Sequence, residues 1–264
     1  MTSSLVGSEM CIRDRSDTLP EHMNLEDRAM DSNAIERERG ITILSKNTAV
    51  RYKDTTINIL DTPGHADFGG EVERVMHMVD GALLLVDAYE GPIPQTRFVL
   101  KKDLEAGVKP IVVLNKIDRP GARPKKVLDD VLELFIELGA NDEQLDFPVV
   151  YASALNGTSS YDADPSTQKE TMDPIFDTII KNIPAPIDNS DEPLQFQITM
   201  LDWDDYVGRI GVGRIYRGKV KVGDNITVMK RDGSTQNFRV TKLFGYFGLK
   251  RNEIKEAKAG DIIA

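Results

Sequence analysis

Cysteine occurs once in these 264 residues, at Cys11, so no disulfide framework holds the chain together and a reducing compartment suits it. Histidine is nearly as scarce. Neither His22 nor His77 has ligand-type partners at metal-binding spacing, which excludes a zinc site of the usual kind. No nucleophile–base constellation stands out either. The longest apolar stretches, such as Ala82 to Val86 and Ile111 to Leu114, are strand-sized and fall far short of the about 20 residues that span a bilayer. No signal peptide is visible. Positive charge is outnumbered, with 33 Lys and Arg against 43 Asp and Glu and a formal charge of -10. A general basic coat for nucleic acid is therefore excluded, and any RNA contact has to be local. What remains is a soluble, cytoplasmic chain with no membrane partner and no sign of an obligate oligomer, so a monomer is expected. Hydrophobic residues make up 40% of it, enough for a packed core in one large or two modest domains.

Residues 1–15 show neither alternation nor helical period and read as a non-native leader. Residues 16–40 are polar and charged, ending in Glu36-Arg37-Glu38-Arg39 before Gly40. Regular patterning then begins. Thr48 to Tyr52 and Thr56 to Leu60 are β-branched and apolar about Lys53-Asp54, which predicts a hairpin. Val72, Val75, Met76 and Val79 recur at helical spacing. Ala82 to Val86 and Ile111 to Leu114 are unbroken apolar runs of the kind buried on both faces of a parallel sheet. Helices are predicted over Thr96 to Ala106, over Val127 to Leu138 and over Met172 to Ile183, with a short strand at Val149 to Tyr151. Such alternation implies an α/β domain with a mostly parallel sheet. Pro184-Ala185-Pro186 breaks the pattern. Beyond it, short alternating runs at Leu194 to Met200, Val207 to Tyr216, Asn225 to Met229 and Gln236 to Leu243 predict a small all-β barrel. Trp203 is expected to be a barrel or loop packing residue rather than a base-stacking platform. The domain boundaries are thus 16–186 for the α/β domain, 187–193 for the linker and 194–264 for the barrel.

Four short elements carry chemistry. Asp61-Thr62-Pro63-Gly64-His65 ends an apolar strand, where ligands of open α/β sheets bind. The Asp61 carboxylate can hold magnesium through water, the Gly64 N–H can meet a terminal phosphate, and His65 can orient a water for in-line attack. Asn115-Lys116-Ile117-Asp118 ends the next buried strand. A carboxylate there accepts two parallel bonds from the ring N–H and exocyclic amine of guanine, which adenine does not offer. The Lys116 stem can cover the base while Asn115 braces the pocket. Ser153-Ala154-Leu155 follows a further strand, and a backbone N–H there can read the guanine carbonyl. In Gly40-Ile41-Thr42-Ile43 a threonine hydroxyl can close over magnesium and phosphate. Each is ordinary alone; their order along one chain gives them meaning. Together they place three loops at the rim of one sheet, gripping a guanine nucleotide.

One part is missing. A nucleoside-triphosphate site of this type needs a Gly-rich loop ending in Lys-Ser or Lys-Thr, and nothing before Asp61 supplies it. Gly213 to Val220 matches that spacing until Val220, which has no hydroxyl, and it lies where no helix follows.

Arg39 to Ile43, Asp61 to Arg74, Asn115 to Pro124 and Val149 to Gly157 resemble the translational GTPases, most closely the ribosome-associated TypA/BipA family, over roughly residue 25 to the end. The resemblance implies a P-loop-type GTPase domain followed by a β-barrel domain 2, with GTP and Mg2+ as cofactors and the ribosome, through rRNA and ribosomal proteins, as partner. It implies GTP hydrolysis coupled to large-subunit assembly or stress-related translation. Thr42 and Asp61 become the magnesium residues and Gly64 the γ-phosphate contact. His65 orients the water beside a hydrophobic gate at Ile41. Asn115, Lys116, Ile117 and Asp118, with Ser153, Ala154 and Leu155, hold guanine. Two other readings share these motifs: an elongation-factor-G-like GTPase, and a non-hydrolysing ribosome-binding module with a vestigial G domain.

Against the family pattern, the phosphate loop with its preceding strand and first helix is absent, as are later domains, so a fragment is expected. About three charge-assisted phosphate contacts at roughly 1.5–3 kcal/mol each are lost, which predicts GTP binding weakened by at least about three decades and a marginal fold.

Overall fold

Lys53, in the left-handed region at φ 53°, and Asp54 reverse the chain between two β-rich runs. The hairpin they close pairs β1 (Lys46–Tyr52) with β2 (Thr55–Asp61) antiparallel, in register from Tyr52 opposite Thr55 to Lys46 opposite Asp61. The computed structural model describes Glu38 and residues 43–63, 66–247 and 250–264. These fall into two compact units divided between Pro184 and Ala185. The segments read as a leader and a charged loop lie outside the described residues, apart from Glu38.

In the first unit, α1 (Gly69–Met76) is followed by β3 (Gly81–Asp87), α2 (Pro94–Glu105), β4 (Lys109–Asn115) and α3 (Pro124–Glu137). The one-turn α4 (Asp142–Leu145), β5 (Val149–Ser153), β6 (Thr158–Ser160) and α5 (Asp173–Asn182) complete it. β3, β4 and β5 are parallel neighbours and β6 adds an antiparallel edge. β4 is buried from Pro110 to Asn115, which explains its unbroken Ile-Val-Val-Leu run: helices cover both faces, so alternation has no use. On α3, Val127, Val131, Leu134 and Phe135 form the buried stripe, and Phe135 meets Phe147 at 4.5 Å between ring centroids. α2 begins two residues before the predicted start because Pro94 occupies a first-turn position, where its missing N–H costs nothing.

Among the described residues β3 pairs only with β4, and β2 only with β1. The hairpin is thus a sheet of its own. Its turn end is tied to the unit, and Thr48, Ala49 and Val50 are buried along β1. The Tyr52 ring stacks on Phe176 at 5.1 Å, its hydroxyl donates to Asp177 at 2.9 Å, and Lys53 Nζ meets the same carboxylate at 2.5 Å. Tyr52→Phe keeps the stack and removes one charge-assisted bond. It should lower stability by about 1–2 kcal/mol in urea unfolding; an unchanged midpoint would show the hydroxyl to be idle.

The second unit is antiparallel. β7 (Gln195–Asp204) and β8 (Gly208–Arg217) form a long hairpin, followed by β9 (Lys219–Lys221), β10 (Asn225–Met229), β11 (Thr235–Arg239), β12 (Leu243–Phe247), β13 (Lys250–Ile254), β14 (Glu256–Lys258) and β15 (Ile262–Ile263). The main sheet runs β13-β12-β15-β8-β7, with β10–β11 and β14–β9 as separate pairs. Ile215, Val220, Leu243, Ala257 and Ile263 form its core. Gly213 is required by closeness, since a Cβ there would lie 1.8 Å from the Gln197 carbonyl oxygen, beside the β7 irregularity. The Gly213 to Val220 decoy is therefore strand and tight turn rather than a phosphate cradle. The predicted strand Gln236 to Leu243 is two strands, broken where Val240 N–H donates to Asp224 O and Val240 O accepts from Gly223 N–H. Trp203, expected to pack, is 64% exposed near the tip of the β7–β8 hairpin.

Candidate functional site

Each parallel strand ends in a small polar side chain: β3 in Asp87, β4 in Asn115, β5 in Ser153, and all three are buried. Parallel pairing in register, Asp87 opposite Asn115 and Asn115 opposite Ala152, brings these ends together at the carboxyl edge.

Asn115 ties two loops. Its Oδ1 accepts from Lys116 N at 2.8 Å and from Ala154 N at 3.0 Å, and Ile117 N donates to Ala152 O at 3.3 Å. Its own carbonyl accepts from Ala88 N at 2.8 Å, so the loop after β3 is joined as well. Ile117 is buried beneath, while Asp118 and Leu155 are exposed. Ser153 Oγ accepts from Asn156 N at 3.4 Å. Lys116 has φ 62°, a left-handed conformation that costs a non-glycine residue on the order of 1–3 kcal/mol and has to be held by its surroundings.

The structure adds a residue the motif reading passed over. Asp87 Oδ2 lies 2.9 Å from Lys116 Nζ, and Asp87 Oδ1 accepts from Tyr89 N at 2.8 Å and Glu90 N at 3.3 Å. Burial works to raise the Asp87 carboxyl, but the Lys116 ammonium and these two N–H groups together hold it below its usual range. Arg119 stands 3.6 Å from the same carboxylate oxygen and 3.5 Å from Glu90, with its guanidinium 4.3 Å above the Tyr89 ring. Arg123 N donates to Ala88 O at 2.8 Å, and its Nε donates to Tyr89 O at 3.3 Å. The Arg119 to Pro124 run thus packs along the loop after β3. The signal in the sequence was the position of Asp87, a carboxylate closing a buried apolar run as Asp61 does.

The expectation of three loops at the rim of one sheet needs correction. The Asn115–Asp118 and Ser153–Leu155 loops share a rim. Asp61, 9% exposed, ends β2 in the separate two-stranded sheet, because β2 pairs only with β1 among the described residues. Ile41, Thr42, Gly64 and His65 lie outside the described residues. Among the described residues no group of three His, Cys, Asp or Glu converges into a metal cage. No helix of the described residues is long and apolar enough to cross a membrane.

Residues 6–185 match the family described as the elongation factor Tu GTP binding domain, and residues 208–264 match elongation factor Tu domain 2. Over 238 residues the chain is 68% identical to the large ribosomal subunit assembly factor BipA of Bacillus subtilis (strain 168), covering 90% of this chain and 39% of that one. The protein of the same name from Escherichia coli (strain K12) is 56% identical over 250 residues, covering 95% and 41%. Among solved structures, translation elongation factor SelB from Methanococcus maripaludis in complex with the GTP analogue GppNHp superposes with a TM-score of 0.65 at 26% identity, over 84% of this chain and 45% of that one. The chain thus spans about two fifths of the length of the curated relatives it matches.

Proposed function

The chain belongs to the elongation factor Tu GTP-binding family, in its TypA/BipA branch, and on that premise we propose that it is the guanine-nucleotide switch of a GTPase acting on the ribosome in large-subunit assembly. The observation that supports this best is Asn115 Oδ1 bonding to both Lys116 N and Ala154 N, which locks the two base-reading loops into one frame. In that frame Asp118 takes the two guanine donors, Lys116 covers one face of the base, Ile117 packs beneath and the Ser153–Leu155 backbone meets the guanine carbonyl.

Asp61 and Thr42 are the residues that would hold magnesium, which neutralises the charge on the phosphates when bound. Gly64 lets the backbone approach the terminal phosphate, His65 orients the attacking water, and Ile41 screens it from bulk solvent. The cytoplasm, where ribosomes are built, is the matching compartment, and rRNA with ribosomal proteins is the matching partner.

Selectivity tests the reading more cleanly than affinity does. In competition against a fluorescent GTP analogue, GDP should displace the probe at a concentration at least about 100-fold below that needed of ADP, the ratio two charge-assisted bonds supply. Equal displacement by the two would overturn the assignment of Asp118 to guanine.

A further inference from the structure

We propose that Asp87 is a positioning residue of the base pocket: by gripping the Lys116 ammonium it fixes the lysine stem in the pose that covers the nucleobase. The proposal rests on Asn115–Asp118 being the base-reading loop, and it adds a residue from a different strand and loop.

Three observations carry it. First, Asp87 is a rigid anchor. Its side chain is 6% exposed, and one oxygen is already committed to the N–H groups of Tyr89 and Glu90, so the other is presented in a fixed direction. Second, that oxygen meets Lys116 Nζ at 2.9 Å. A four-carbon stem left free at its far end samples many rotamers, whereas one held at both ends offers a flat apolar wall without losing that freedom on binding. Third, Lys116 leaves the backbone in a left-handed conformation at φ 62°, which places its stem in a direction an ordinary strand-end residue would not take. The pair therefore orders a side chain whose backbone is already committed. Arg119, close to the same oxygen and stacked on Tyr89, secures the loop that carries the anchor.

Asp87→Asn isolates the grip. Asparagine keeps an acceptor oxygen for Tyr89 N and Glu90 N but turns an amide donor toward Lys116. In the full 264-residue chain the off-rate of fluorescent GDP should rise about tenfold, and that of fluorescent inosine diphosphate equally, because Asp118 still discriminates the exocyclic amine. A loop that had merely collapsed would instead erode the preference for guanine. Lys116→Met should cause a similar loss, and adding Asp87→Asn to it should change the off-rate by less than about twofold. A nucleotide-free readout stands beside these. Acylation of Lys116 by an amine-reactive ester, followed by mass spectrometry, should be several-fold faster in Asp87→Asn than in the unsubstituted chain. An unchanged acylation rate, a lost guanine preference, or fully additive effects of the two substitutions would overturn the proposal. Failure of the unsubstituted chain to prefer GDP over ADP would overturn the base-reading assignment instead, and acylation would still decide whether Asp87 restrains Lys116.

Discussion

Asp118→Asn is expected to cut GTP affinity by about two to four decades while leaving the fold intact. The carboxylate offers two acceptor oxygens to two guanine donors, and each charge-assisted bond contributes roughly 1.5–3 kcal/mol, or about 3–6 kcal/mol for the pair. Asparagine keeps one acceptor and replaces the other with an amine that points at the guanine amine, so donor faces donor. The same replacement suits xanthine, whose oxygen stands where guanine carries its amine. Xanthosine triphosphate should therefore gain on GTP by at least about 100-fold in competition titrations. Asp118 is exposed on its turn, so the unfolding free energy should stay within about 0.5 kcal/mol. Equal loss for GTP, ATP and xanthosine triphosphate would mean that Asp118 shapes the loop without reading the base.

The second large effect concerns stability and pH. Asp103 on α2 is 2% exposed, its Oδ1 has no hydrogen-bond partner among the described residues, and burial pushes its carboxyl up to about 7. The adjacent Lys102 does not serve it, being engaged with Glu73 at 2.7 Å and Glu105 at 3.3 Å. The unfolded chain releases this proton near 3.8, the folded chain near 7. Between those values the folded state binds more protons, so stability falls as pH rises, and the loss is complete just above pH 7. A gap of about three units at 1.36 kcal/mol each amounts to on the order of 4 kcal/mol. Asp103→Ala should therefore raise the unfolding free energy at pH 8 by about 2–4 kcal/mol, after a small packing loss. At pH 4 it should bring no gain. Urea unfolding at both pH values decides it. A pH profile that keeps its slope between 4 and 7 after the substitution would place the titrating group elsewhere.

The legible and hidden parts of this molecule divide along physical lines. Ala82 to Val86 and Ile111 to Leu114 could be read because burial on both faces leaves an apolar run with no polar interruption, and the breaks at Pro184 and Pro186 are local backbone chemistry. The tie from Asn115 to Ala154 could not be read. It joins positions 39 apart in sequence and depends on how β5 registers against β4. Asp87 was hidden for a related reason, since an aspartate after a buried strand is an ordinary terminus until its neighbour across the sheet is known. Trp203 was expected to pack, yet it stands 64% exposed, because its place near a hairpin tip leaves little to cover it. That Asp61 ends a strand paired, among the described residues, outside the parallel sheet was equally invisible, because strand order is a property of the whole unit.

The grip of Tyr52 and Lys53 on Asp177 spans 125 and 124 positions. During synthesis at roughly 5–20 residues per second, the first partner waits about 6–25 s for the second to be made. Until then the turn end of the hairpin lacks this anchor and is more open to other extended chains. Conditions that slow translation would lengthen that exposure in proportion, so the yield of correctly assembled chains should depend on elongation rate more than on final stability.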